Sequence, residues 1–198
     1  MRIGIFGGTF DPPHFGHLIL AAEAQHQLQL DRVLWVLTPT PPHKPDQVIT
    51  PVAIRTRMVL ACIAGEPGFE LSDVDICRPP PHYAIDTINI IRAAYPENEI
   101  VYLMGGDSLA QLHTWHRALE FLEACDSLGV IRRSDEDINL SALNARLPGL
   151  GEKDSFVPTM ILGISSSEIR KRIANKIQVK YYLPAGVYKI IQEERLYQ

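Results

Sequence analysis

The sequence predicts an α/β fold, a doubly wound parallel sheet in a single domain with helices on both faces. Three observations predict it. Short, continuously apolar runs such as residues 32–37 (RVLWVL) and 100–104 (IVYLM) have the composition of strands buried on both sides. These runs alternate with longer segments whose apolar residues recur at helical spacing, the pattern of a parallel sheet. A chain of 198 residues fills one hydrophobic core and is short for two.

Residues 2–6 read as the first strand, stopped by Gly7-Gly8 and then by Pro12-Pro13. Residues 14–28 follow as a helix, with Leu18, Ala21, Ala22 and Leu28 on its repeat. After the strand at 32–37, residues 38–47 (TPTPPHKPDQ) hold four prolines in ten and form an extended loop. Pro51 is well placed to open a helix reaching residue 64. Residues 69–76 suggest one or two short strands, and Pro79-Pro80-Pro81 a second stiff loop. Ile85, Ile88 and Ile91 mark a helix over 83–94. The strand at 100–104 ends at Gly105-Gly106, and helices over 108–112 and 117–124 flank Trp115. A strand at 128–131 precedes a polar, irregular stretch over 134–155, with a short helix around 140–147. The last strand is expected at 159–162, followed by helices at 166–174 and 185–196, so that residues 163–198 form a small helical extension of the domain. In such sheets the ligand lies beyond the carboxyl ends of the strands, where the Gly-, His- and Pro-rich loops gather.

Composition narrows the function. With 46% apolar and 21% charged residues the chain reads as an ordinary α/β protein, and a formal charge of −4 argues against a nucleic-acid partner, which needs a basic surface. Cys62, Cys77 and Cys125 are far apart and odd in number, with no CxxC pair, so neither a disulfide framework nor a zinc site is indicated. They read as buried free thiols in a reducing compartment. Met1-Arg2 leads into an apolar run too short for a signal peptide, and no later segment has the length of a membrane span. The expectation is a cytoplasmic protein with no membrane partner. A homo-oligomer is compatible with the sequence.

The residues with chemistry begin at Gly7-Gly8-Thr9-Phe10-Asp11-Pro12-Pro13-His14-Phe15-Gly16-His17. Adjacent glycines let main chain approach a ligand closely. His14 and His17, three apart at a helix start, share a face where unpaired amides and the dipole attract anions. Two imidazoles with exposed amides suit a triphosphate and the charge that builds on a leaving pyrophosphate. The glutamate of a zinc-protease motif is missing, as are the P-loop and the GxGxxG fingerprint.

Further along, Pro41-Pro42-His43-Lys44 presents an imidazole and an ammonium on a stiffened loop, and read alone it is equally a polyproline II segment. Tyr83-Ala84-Ile85-Asp86-Thr87 starts a helix whose first amides suit a carboxylate, although an ordinary helix start accounts for it almost as well. Ser165 with Glu168 has the form of a capping box. That box leaves Arg170 unexplained, four residues after Ser166 and able to share its face.

The first of these segments resembles the signature of the bacterial nicotinate-nucleotide adenylyltransferases, within the nucleotidylyltransferase superfamily marked by HxGH, and further matches run in order along nearly the whole chain. The resemblance implies a Rossmann-like fold and transfer of AMP from ATP to nicotinate mononucleotide, with Mg²⁺ carried on the substrate phosphates and no metal site built from the protein. It implies catalytic roles for His14, His17 and Arg170. Gly7, Gly8, Thr9 and Phe10, the Gly-Gly-Asp of Gly105 and Asp107, and Ile164, Ser165 and Ser166 of the ISSxxIR match are implied to bind ATP. For the mononucleotide it implies His43 and Lys44 beside the phosphate with Arg132. Ala84, Ile85 and Thr87, Trp115 as a stacking platform, and His116 are implied near the pyridine ring. The chain departs from the family's pattern at Ala84, where threonine is common, at Gly106, and at Lys176 and Gln178. The same chemistry on nicotinamide mononucleotide or another phosphorylated acceptor, and a non-catalytic nucleotide sensor, are the alternatives.

Overall fold

A computed structural model describes residues 1–41, 48–132, 138–159 and 163–198, with only the main chain of Arg132. Six strands form one parallel sheet in the order β3-β2-β1-β4-β5-β6. They are β1 (Arg2–Gly8), β2 (Arg32–Leu37), β3 (Phe69–Ser72), β4 (Glu99–Gly105), β5 (Ser127–Arg132) and β6 (Asp154–Pro158). The order grows outward from β1 and reverses direction between β1 and β4, the arrangement of a Rossmann-like sheet. Opposite departures of the chain on either side of that line leave a crevice beyond the carboxyl ends of both strands.

Alternation within the apolar runs explains the two layers. Val33 and Trp35 of β2 belong to one core, Leu34 and Val36 to the other. The first core is covered by α1 (Phe15–Gln27), α2 (Val52–Ile63), α8 (Ser166–Ala174) and α9 (Ala185–Glu193), which bury Ala21, Met58, Ile169 and Val187 there. Opposite lie α3 (Ala84–Ala94), α4 (Gly106–Ala110), α5 (Ala118–Ala124), α6 (Leu140–Arg146) and α7 (Leu150–Lys153), contributing Ile88, Leu109, Phe121, Leu143 and Leu150. Among the described residues no helix is long and apolar enough to cross a membrane.

The structure refines two expectations on the strands. Asp154–Pro158 forms the sixth strand within the stretch expected to be irregular, and of the strand expected at 159–162 only Thr159 lies within the described residues. At the sheet edge only Val157 of this strand is fully buried, and Phe156 packs half-buried on the second core. The stretch 69–76 holds one strand, ending at Ser72, after which Val74 and Ile76 pack onto opposite cores from a turn. Cys62 and Cys125 are buried free thiols pushed up to about 12 by burial, whereas Cys77 is exposed, contrary to expectation.

One buried charge ties the loops at the crevice together. Arg55 of α2 is 2% exposed and sits on the helix face shared by Val59 and Cys62. Its guanidinium donates to the carbonyls of Thr9, Thr38, Pro39 and Thr50 at 2.7–2.9 Å. The loops after β1 and β2 and the approach to α2 thus converge on one side chain. We expect Arg55→Met to destabilise the fold by about 3–5 kcal/mol in urea unfolding, because several buried carbonyls lose their donor at once; a loss below about 1 kcal/mol would show that water replaces them.

Candidate active site

The Gly7–His17 segment crosses the end of β1 at the switch point. Gly7 lies under the Tyr102 hydroxyl, which would be 3.1 Å from any Cβ there. Phe10 takes the left-handed conformation (φ 48°), and its ring is buried against Phe6, Trp35 and His17 at centroid distances of 5.1–5.6 Å. His14 is the extended residue that starts α1, and its N–H donates to His17 Nδ1 at 3.3 Å. That bond leaves Nε2 of a neutral His17 to carry the ring proton. The rings of His14 and His17 lie 3.8 Å apart at 31°. A Cβ on Gly16 would meet the His14 imidazole at 2.9 Å, which explains glycine between the two histidines.

From the other end of the chain, α8 closes on this turn. Ser165 accepts from the Glu168 N–H at 3.2 Å, one half of the expected capping box. Ser166 Oγ donates to the Pro12 carbonyl at 2.8 Å and Arg170 Nη1 to that of Asp11 at 2.7 Å. His17, Ser166, Ser167 and Arg170 with Thr9, Phe10, Asp11 and Ile49 line a cavity of about 150 Å³. Ile164 packs half-buried against the core beside it.

A second cavity of about 620 Å³ shares Thr9 with the first. Its floor is the ends of β1 and β4, including Gly7, Gly8 and Gly105; Asp107, Ala84, Thr87, Trp115 and His116 line its walls. Trp115 meets Tyr102 edge-on at 6.1 Å and lies tilted against Phe121 at 5.2 Å. Tyr83 and His116 stack at 4.0 Å. Ile85 sends its side chain into the core, so only its amide can serve a ligand. In α3 the Asp86 and Thr87 amides donate to the Tyr83 carbonyl, while those of Ala84 and Ile85 come too early in the helix for an internal acceptor.

Thus His17, Arg170, Thr9, Phe10 and Ser166 meet in the small cavity, and Ala84, Thr87, Asp107, Trp115 and His116 in the large one. His14, 4% exposed, backs His17. His43, Lys44 and the Arg132 side chain lie outside the described residues.

Sequence reasoning missed a buried network along the large cavity. Asp75, 3% exposed, accepts from Arg78 Nε at 2.9 Å and from the Thr87 hydroxyl at 2.8 Å. Arg78 also donates to the carbonyls of Pro81 and Tyr83. The His82 ring lies between the carbonyls of Thr40 and Arg78, at 3.4 and 3.2 Å from its two nitrogens. The Thr87 hydroxyl is therefore engaged in holding the start of α3. A carboxylate and a guanidinium three residues apart before a proline run were the available signal, as was Arg55 on an apolar helix face.

Electrostatics favour an anion in the small cavity. Burial, and then the neighbouring His14, push the His17 imidazole well below its ordinary range. Arg170 supplies the fixed positive charge there, and among the described residues no group of three His, Cys, Asp or Glu could hold a metal ion.

The cytidylyltransferase-like family model matches residues 5–172. A protein of Thermomicrobium roseum named probable nicotinate-nucleotide adenylyltransferase is 41% identical over 197 residues, covering 100% of this chain and 92% of its own. The chain belongs to that family of adenylyltransferases. A second member, from Dehalococcoides mccartyi and of the same name, is 37% identical over 100% of this chain and 97% of its own. The Plasmodium falciparum nicotinic acid mononucleotide adenylyltransferase complexed with NaAD superposes with a TM-score of 0.78 at 19% identity, covering 99% and 97% of the two chains. The fold is therefore that of the adenylyltransferase family across nearly the full chain.

The depressed His17 has a consequence for stability. Its folded-state value lies below the unfolded value of about 6.5, so the native state resists protonation while the unfolded chain accepts it. This contribution is intact above about pH 6.5 and is lost as pH falls from there toward the folded value. We expect the unfolding midpoint to drop between about pH 7 and 5, and His17→Gln to flatten that drop. An unchanged slope in the variant would place the titration elsewhere.

Proposed function

We propose that this protein transfers AMP from ATP to nicotinate mononucleotide, releasing pyrophosphate and nicotinate adenine dinucleotide. The observation that carries the reading is the pair of cavities sharing Thr9 at the β1–β4 switch point, one lined by His17 and Arg170, the other by Trp115 and the start of α3. One suits a polyphosphate, the other a nucleoside and an aromatic ring. The names of the full-length relatives support the same reaction.

A phosphate-monoester oxygen of the mononucleotide attacks the α-phosphorus of ATP. The bond from that phosphorus to the α,β-bridging oxygen breaks, and its electron pair leaves with pyrophosphate. The attacking oxygen is already anionic at neutral pH, so no general base is required. The barrier lies in bringing two anions together and in charge that builds on the leaving group, which calls for positioning and electrostatic stabilisation. Neutral His17 supplies an N–H donor, Arg170 a cation, and Ser166 with the first amides of α8 further donors. Mg²⁺ bound with ATP would offset part of the phosphate charge, and the donors of His17, Arg170 and Ser166 would hold the rest.

At the other end of the site, Trp115 offers a face for the pyridine ring. Amides of Ala84 and Ile85 receive the carboxylate, and their main-chain character makes the Ala84 departure harmless. Phosphate contacts from His43, Lys44 and Arg132, and nucleotide contacts from Gly105, Asp107, Ile164 and Ser165, belong to the same proposal.

Pyrophosphate release with ATP and Mg²⁺ tests it: rapid with nicotinate mononucleotide and slow with the amide. Equal rates would remove the assignment of the carboxylate pocket, and no release with either would remove the reaction. His17→Ala is expected to raise the barrier by about 2–4 kcal/mol without unfolding the protein. Trp115→Ala is expected to raise KM for the mononucleotide more than KM for ATP; equal rises would make it a packing residue.

A further inference from the structure

The segment after α9 reaches back to the small cavity. Tyr197 donates its hydroxyl to Asp11 Oδ1 at 2.6 Å, across 186 residues of sequence. Asp11 lines that cavity and is 3% exposed. Its second oxygen accepts from the Thr50 N–H at 3.3 Å, and its carbonyl accepts from Arg170. A carboxylate thus stands in the wall of a site whose other charge, Arg170, attracts anions. Left with open lone pairs, it would repel a triphosphate and be free to turn toward Arg170.

The path of the chain holds Tyr197 in place. Beyond α9 the Leu196 amide donates to the Ile191 carbonyl at 3.0 Å, and Leu196 and Tyr197 pack on the first core. Arg195 and Tyr197 are both left-handed, with φ of 51° and 64°. Non-glycine residues stay in that region when the surroundings over-determine them. Burial, and then the charge of Asp11, push the Tyr197 hydroxyl far up, so it remains a donor throughout the working range.

We propose that Tyr197 is a positioning residue for the triphosphate, which it serves by occupying Asp11 and fixing the turn on which His17 and Arg170 converge. The geometry separates two functions of that carboxylate. It organises the Thr9–Pro13 turn through its donors, and those donors mask its charge from the ligand. The proposal rests on the small cavity receiving the triphosphate, as in the function above.

Tyr197→Phe deletes one hydroxyl and keeps the ring packed. We expect KM for ATP to rise about tenfold, KM for nicotinate mononucleotide to change less than about twofold, and kcat to fall less than KM rises. A merely structural role would lower the melting temperature and move both KM values together. Asp11→Asn supplies the cross-check: placed on that background, Tyr197→Phe should add less than about twofold, since the charge it masks is gone. Full additivity of the two substitutions, or an unchanged KM for ATP, would overturn the proposal. Should the native protein release no pyrophosphate, the reaction above fails by itself. Calorimetric titration with MgATP then decides the role of Tyr197, a loss of about tenfold in affinity supporting it and equal affinities refuting it.

Discussion

The turn from Gly7 to His14 is fixed from inside the protein, and the rest of the site depends on that constraint. Arg55 holds the Thr9 carbonyl from below, in company with three carbonyls of neighbouring loops. Asp11 is gripped by Thr50 and Tyr197 through its carboxylate and by Arg170 through its carbonyl. These bonds have little to do with secondary structure. They join the ends of β1 and β2 to α2, α8 and the segment after α9, all of which face the first core. A guanidinium at 2% exposure is tolerable only because its donors are used on four acceptors.

From that turn the chemistry follows with few additional parts. His14 starts α1 in extended conformation and so places its ring over Gly16 and against His17. Burial, and then the neighbouring His14, keep His17 neutral, which suits a donor that must not bind a proton before its ligand arrives. Thr9 stands at the boundary of both cavities, where the two substrates of a transfer reaction would meet. No side chain needs to act as a nucleophile. Rigid placement of donors around a developing charge is the means by which such a site lowers a barrier.

The sequence showed the sheet and the turn well, because both rest on local signals. Continuous apolar runs marked β1, β2, β4 and β5, and the Gly-Gly turn followed by His-x-Gly-His marked the site. Proline and capping signals located α2 and α8 to within a residue. Failures came where partners lie far away in the chain. The edge strand β6 fully buries only Val157 and runs into Pro158, so no continuous apolar run marks it in the sequence. Asp75 and Arg78 acquire meaning only through Thr87 and the start of α3. Tyr197 finds Asp11 across the whole domain, a contact that no spacing rule reveals.

The central claim is that a single displacement occurs between two held anions, with no covalent intermediate on the protein. The measurement that tests it most directly is the stereochemical course at the α-phosphorus, followed with ATP made chiral at that centre and nicotinate mononucleotide as acceptor. Inversion in the dinucleotide product is the predicted result. Retention would mean two displacements through an adenylylated side chain, and would contradict the account.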